Sequence, residues 1–217
     1  MGEFIIEIKN AYPDELCDEF LHEWVTPKYH AMSVVHPNMP MELHSKIKSS
    51  QDMYFDFSTQ SHNKYQDIMT KVKKKYTDIL IENGLDRRSP TPPEVYMFQD
   101  LITRSIQTGM VMARTDPGQH YDWRVDSVFG DLSRQGLLTC ILYLNDMDED
   151  AGGCTEFSNG RVVRPEKGKV LIFPATPQYL HRGAIVNKGT KYVITTFAKE
   201  PEPVYTRGLP FIVKPDH

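Results

Sequence analysis

Two sets of residues in the second half of this chain have types and spacings that could do chemistry. His120-Tyr121-Asp122 puts an imidazole and a carboxylate two residues apart, and alternate residues of a strand point the same way. His181 could bring a second imidazole to them from a distance. Two imidazoles and one carboxylate on one face of an ion leave positions open for substrate and oxygen, which is the donor set of a non-heme iron centre. The H-x-D signal is weak by itself, because a chain of 217 residues with eight histidines finds one easily.

The other set surrounds Lys191. In KYVITTF, Lys191, Val193, Thr195 and Phe197 share one strand face, and in TCILY so do Thr139, Ile141 and Tyr143. A lysine on an inward face needs a counter-charge or must lose its proton. A dicarboxylate held by Lys191, with hydroxyls from Tyr143 and Thr195, would supply that charge. The plainer alternative is a lysine at a strand end in solvent.

These residues need a scaffold, and the chain is long enough for one domain with a real core. Hydrophobic residues make up 40% and charged residues 25%, proportions ordinary for a globular protein. A net charge of −4 argues against nonspecific nucleic-acid binding, which needs a surplus of lysine and arginine on one face. No apolar run approaches the roughly 18–20 residues of a membrane span. The acidic opening MGEFIIEIKNAYPDE has no signal-peptide core. Cys17, Cys140 and Cys154 are odd in number and have no C-x-x-C spacing, so a reducing, cytoplasmic setting is expected.

Residues 1–94 read as helical support. A strand is expected over 3–9 and a helix over about 13–24. A longer helix is expected over 61–84, with Tyr65, Ile68, Met69, Val72, Tyr76, Ile79 and Leu80 on its apolar face. Lys71, Lys73 and Lys74 would lie on its solvated face, and Gly84 would be its cap. Residues 26–61 have poor periodicity and read as a long loop with short strands, or as a lid. His22, His30, His36 and His44 read as surface residues, and DRRSPTPPE as a loop. After Val95 the pattern turns to β, with strands expected over 105–114, 119–125, 137–144, 154–157, 161–163, 169–174, 179–182 and 191–199. DPG, SNG, PEKGK and NKG mark turns between them. The expected fold is α+β: a jelly-roll core over 95–199 backed by the N-terminal helices, in one domain with a tail over 200–217.

The pieces GQHYDWRVDS, LTCILYLND, AGGCTEF, PEKGKVLIFP and HRGAIVNKGTKYVITTF, in this order and spacing, resemble the catalytic core of the iron(II)- and 2-oxoglutarate-dependent oxygenases. The likeness is to the prolyl 4-hydroxylase-like branch and runs over about 85 residues, from Arg114 to Lys199. It implies a double-stranded β-helix. It implies His181 as the distal metal ligand, with Lys191 ten positions on as the basic co-substrate residue. Tyr143 and Thr195 are then the hydroxyls that bind 2-oxoglutarate. The implied reaction couples oxidative decarboxylation of 2-oxoglutarate, to succinate and carbon dioxide, to hydroxylation of a C–H bond. Iron(II) is the implied cofactor and ascorbate an accessory. The implied substrate is a prolyl residue in a peptide or protein, or a related small molecule. Trp123, Tyr179 and the 26–61 stretch are candidate pocket walls.

The chain departs from the family frame G-x-x-Y-x-x-H-x-D at one place. Its own frame is Gly118, Tyr121, Arg124 and Asp126, so Arg124 stands where the first metal histidine is expected. A guanidinium keeps its proton and has no lone pair to give a metal. The expected function is an iron(II)/2-oxoglutarate-dependent hydroxylase, with a non-catalytic barrel of the same fold that binds a peptide or dicarboxylate as the rival that Arg124 motivates. For the metal, in one reading Asp126 and His181 remain, and the centre is crippled or takes metal weakly from two protein ligands. In the other, His120 and Asp122 have taken over. The match through Gly118, Tyr121 and Asp126-Ser127 favours the first. Other chemistries lack their motifs: there is no G-x-S-x-G, no G-x-G-x-x-G and no P-loop.

Overall fold

LTCILYLND has no polar stripe on either side, and a strand of that kind must be covered on both faces. The computed structural model describes residues 4–25, 30–32, 40–54, 60–85, 93–127 and 136–200. In it Leu138–Tyr143 is a strand with every residue buried. In chain order the strands are β1 (Ile6–Ile8), β2 (His30–Met32), β3 (Gln51–Tyr54), β4 (Ile106–Thr115), β5 (Tyr121–Arg124), β6 (Leu138–Tyr143) and β7 (Thr155–Phe157). They continue with β8 (Val162–Val163), β9 (Val170–Pro174), β10 (His181–Gly183) and β11 (Lys191–Lys199). The helices are α1 (Asp14–Val25), α2 (Met41–Ile47), α3 (Gln60–Leu80) and α4 (Pro93–Arg104).

The strands form two antiparallel sheets, one of seven strands in the order β1-β9-β6-β11-β4-β3-β2 and one of four in the order β5-β10-β7-β8. Strand alternation gives each side of the large sheet its own core. Leu138, Cys140 and Leu142 of β6, with Val170 and Ile172 of β9, join a cluster with Phe20 of α1 and Tyr65, Met69 and Tyr76 of α3. The intervening Ile141 and Tyr143, with Leu171 and Phe173, pack instead with Phe157 and Val163 of the small sheet. Burying each such side chain contributes about 1.5–3 kcal/mol. This is the α+β jelly roll expected from the sequence. Polar anchors fix α3 on the sheet: the Tyr65 hydroxyl shares a 2.8 Å hydrogen bond with the Thr196 hydroxyl, and the Tyr12 hydroxyl donates to Tyr65 O at 2.8 Å.

Four local expectations need correction. Residues 93–104 form a helix, α4, where β character was expected after Val95. Val95, Tyr96, Phe98 and Ile102 favour strands, but a proline opening the first turn presets helical φ. The α-helix α3 ends at Leu80 and continues as a π-turn over Ile81–Leu85, so Gly84 is not its cap. Lys73 is buried, its ammonium donating to the backbone carbonyl and the hydroxyl of Ser105 just past α4, while Lys71 and Lys74 are exposed. His44 is buried as well. Within 26–61 the described residues carry β2, α2 and β3. Residues 26–29, 33–39, 55–59 and 86–92 and the tail beyond residue 200 lie outside the described residues.

Candidate active site

The site begins with a bulge. β5 pairs with β10 so that Arg124 stands opposite His181 and Tyr121 opposite Gly183. Three steps along β5 therefore match two along β10, and the extra residue turns the strand. Tyr121 and Arg124 face a cavity of about 460 Å³ between the sheets, while Asp122 and Trp123 are exposed. Simple alternation would have put Asp122 and Arg124 on one face. The His120 imidazole meets the backbone carbonyl of Lys46 at 3.1 Å, and Asp122 Oδ1 accepts from the Trp123 amide at 2.7 Å. Neither His120 nor Asp122 lines the cavity.

Beyond β5 the chain is fixed to the large sheet, with the Ser127 amide donating to Ala175 O at 2.9 Å. Asp126 is held by Thr139 of β6, whose hydroxyl donates to Oδ2 at 2.7 Å. His181 is fully buried. Its ring lies 4.8 Å from Phe173 and 5.9 Å from Phe157, centroid to centroid. Its Nδ1–H donates to Tyr179 O at 3.0 Å, leaving Nε2 as the bare nitrogen. That nitrogen has no hydrogen-bond partner and sits 3.4 Å from Asp126 Oδ2. Burial, reinforced by the Arg124 charge, pulls the His181 pKa down to about 4, so the ring is neutral at pH 7. A neutral imidazole lone pair beside a carboxylate is a pair of donors turned toward one point.

Arg124 occupies the third position. Its guanidinium carbon lies 3.5 Å from the Tyr121 ring centroid, its Nε is 3.5 Å from Asp126 Oδ1, and its Nη1 is buried without a hydrogen-bond partner. Among the described residues no three histidine, cysteine or carboxylate side chains gather closely enough to hold a metal. Asp126 and His181 fit as two ligands, and a cation beside Asp126 takes the place of the third. The residues present therefore do not fit a three-ligand iron centre.

Lys191, Val193, Thr195 and Phe197 all line the cavity, as their alternation requires. Lys191 is buried rather than set in solvent, and its ammonium donates to Gly153 O at 2.8 Å. Burial first, and Arg124 second, pull its pKa down to about 8. Gly153 and Gly183 lie along its stem: a Cβ at Gly153 would be 3.4 Å from Lys191 Cδ and one at Gly183 3.5 Å from Nζ, both ordinary van der Waals distances. Tyr143 is buried behind the wall, and its hydroxyl shares a 2.7 Å hydrogen bond with that of Thr155, which does line the cavity. Trp123 lines a separate, open groove with Phe157 and Leu180, and Tyr179 packs in the core.

The 26–61 stretch, read as a candidate pocket wall, supplies Lys48, Ser50 and Asp52 to the cavity, none of which was singled out by sequence reasoning. Lys48 pairs with Asp52 at 2.6 Å, lies 4.9 Å from the Tyr121 ring and helps close the cavity. Nothing local announces them, because their site partners lie some seventy residues away. Lys48 meets the site through a bridge to Tyr121.

Comparison with known proteins bears on the fold. Residues 110–199 match the family model described as the 2OG-Fe(II) oxygenase superfamily. The mouse 2-oxoglutarate and iron-dependent oxygenase domain-containing protein 3 is 32% identical over 110 residues, which is 48% of this chain and 30% of that protein. The chain thus spans under a third of that relative. A viral collagen prolyl hydroxylase from Paramecium Bursaria Chlorella virus-1, solved as a 2OG complex, superposes with a TM-score of 0.61 at 18% identity, covering 93% of this chain and 98% of that one. A Trichoplax adhaerens prolyl hydroxylase, in complex with a hypoxia inducible factor oxygen degradation domain peptide fragment, gives a TM-score of 0.60 at 15% identity, covering 91% and 84%. The resemblance read from the sequence holds, and the fold is that of the prolyl hydroxylases.

Proposed function

We propose that the barrel binds a dicarboxylate of the 2-oxoglutarate type at Lys191, and that with Arg124 in place this binding is not followed by iron-dependent turnover. One observation carries the reading. Lys191 is a buried cation on the cavity wall with no carboxylate partner among the described residues, and a ligand carboxylate supplies that partner. Thr195, two same-face positions further along β11, offers a hydroxyl to the same ligand. Tyr143 acts through Thr155. The second ligand of the site is a peptide or small molecule entering the remaining cavity, and the three free cysteines fit a reducing, cytoplasmic setting.

A second reading is favoured by the pair Asp126 and His181, whose turned-in donors remain as two ligands. In it the chain is an iron(II)/2-oxoglutarate-dependent hydroxylase acting on a prolyl residue or a related amino acid or peptide, with ascorbate as accessory. Iron analysis of anaerobically reconstituted protein, together with succinate release from 2-oxoglutarate, separates the two. Binding of 2-oxoglutarate by calorimetry with no iron retained and no succinate formed is the expected result. Near-stoichiometric iron with succinate formation establishes the hydroxylase.

A further inference from the structure

We infer that Arg124 replaces the metal as the cation that holds the ligand, so that the cavity takes short dicarboxylates without a metal and without requiring a 2-oxo group. The inference rests on the dicarboxylate reading above and deepens it.

Four observations carry it. Arg124 stands directly across from His181 in the β5–β10 pairing, at the centre of the donor cluster. It is positioned from two sides, by the Tyr121 ring beneath the guanidinium and by Asp126 at Nε. Those contacts leave Nη1 buried and unbonded in a side chain that lines the cavity, and a guanidinium edge is shaped to receive the two oxygens of a carboxylate. Lys191 supplies the other end. Its Nζ lies beside Gly183, which pairs with Tyr121, two residues along β10 from the His181–Arg124 pair. Tyr121 is also the residue whose ring lies under the Arg124 guanidinium, so both cations face the same part of the cavity.

Charge points the same way. Among the described residues the cavity wall carries the cations Lys48, Arg124, Lys191 and Lys199 against the carboxylates Asp52 and Asp126. Lys48 is paired with Asp52, and Arg124 and Lys191 stand against Asp126, so the site favours an anion. A divalent ion would add to the excess and would have to displace Arg124 from Asp126.

The ligand class follows from the chemistry. A metal selects a 2-oxo acid because carboxylate and neighbouring keto oxygens chelate it together. A guanidinium pairs with the carboxylate alone and gains little from the keto group. Succinate and glutarate are therefore ligands on the same footing as 2-oxoglutarate.

The test is calorimetry on the unaltered chain with succinate, glutarate and 2-oxoglutarate, each in EDTA and each with manganese(II). The expected result is binding of all three in EDTA, with glutarate and 2-oxoglutarate within about three-fold of each other and manganese changing neither. Arg124→Ala should weaken all three by about ten-fold or more, and Arg124→Lys, which keeps charge but loses the fork, should weaken them less. Thermal melting of each variant separates lost binding from lost fold, and the EDTA arm needs no variant. Binding of 2-oxoglutarate only with manganese overturns the inference and leaves the dicarboxylate reading standing. A preference for 2-oxoglutarate over glutarate of more than about ten-fold in EDTA overturns it as well. No binding of any of the three under either condition overturns the dicarboxylate reading itself.

Discussion

Replacing Lys191 with Met separates two consequences of one buried charge, because Met keeps the length of the stem and drops the ammonium. In the unliganded protein that ammonium has the Gly153 carbonyl at 2.8 Å and no ion pair among the described residues. Its pKa falls from the ordinary 10.5 to about 8, through burial first and Arg124 second. A fall from 10.5 to about 8 corresponds to about 3 kcal/mol. The folded pKa lies below the unfolded one, so the unfolded chain binds the proton more tightly between them. The penalty is complete below about pH 8, shrinks as pH rises toward 10.5 and is absent above it. Loss of the hydrogen bond to Gly153 offsets about 1 kcal/mol. Lys191→Met should therefore stabilise the empty protein by about 1–2 kcal/mol at pH 7, raising Tm by about 2–8 °C for a chain of this size. The gain should vanish near pH 10. With ligand the sign reverses: breaking a buried ion pair costs about 3–5 kcal/mol, so 2-oxoglutarate affinity should fall by two or more orders of magnitude. Thermal melts at the two pH values, with calorimetry at pH 7, read both effects. A variant destabilised by more than about 1 kcal/mol at pH 7, with ligand affinity intact, refutes the reasoning, since the charge would then be neither costly nor used.

Lys169 is the converse case. It is equally buried but pairs with Glu7 and Glu166, each at 3.0 Å, so Lys169→Met should cost about 2–4 kcal/mol in urea unfolding, softened because both carboxylates reach solvent. Arg124→His should raise iron(II) affinity by about ten-fold or more by completing a set with Asp126 and His181, whereas His120→Ala should leave metal affinity unchanged. The opposite pattern in equilibrium metal titrations would move the site to His120 and Asp122. Gly168→Ala should lose about 2–4 kcal/mol, because φ is +73° there and a Cβ would meet Tyr12 O at 2.4 Å. Chemical denaturation reads that loss directly.

The strands were legible because each is short, apolar and closed by turn residues. The expected 169–174 is Val170–Pro174, and 191–199 is β11 itself. The shared face of Lys191 and Thr195 followed from alternation alone. α4 was not legible, because its β-favouring side chains competed with a helix-opening proline and its packing on α3 decided the outcome. Lys73 read as solvated because lysines beside it are, and only the arrival of Ser105 at the same place makes it a buried donor. The β5 bulge was invisible for a related reason. A period of two predicts faces only where the ladder is regular, and the shift exists only in the pairing with β10. The family frame put Arg124 and Asp126 with His181, and the structure sets Arg124 opposite His181, where alternation from His120 would have put Asp122 on the same face.

The deepest consequence of Arg124 is electrostatic rather than steric. Two unit charges 4 Å apart interact by about 4 kcal/mol at an effective dielectric of 20, and a divalent ion at that distance from a guanidinium meets about twice that in repulsion. Asp126 alone cannot offset it, because its charge is already shared with Nε of the same guanidinium. The neutral His181 adds a lone pair but no charge. An incoming carboxylate meets the opposite balance. It is drawn to the unbonded Nη1, and it brings a counter-charge to Lys191, whose pKa burial and then Arg124 hold down. In the proposed reading, an arginine at the position across from His181 makes the site one that favours a dianion over a divalent cation. The barrel itself need not change, because Tyr121 and Asp126 already form the bed on which the guanidinium lies.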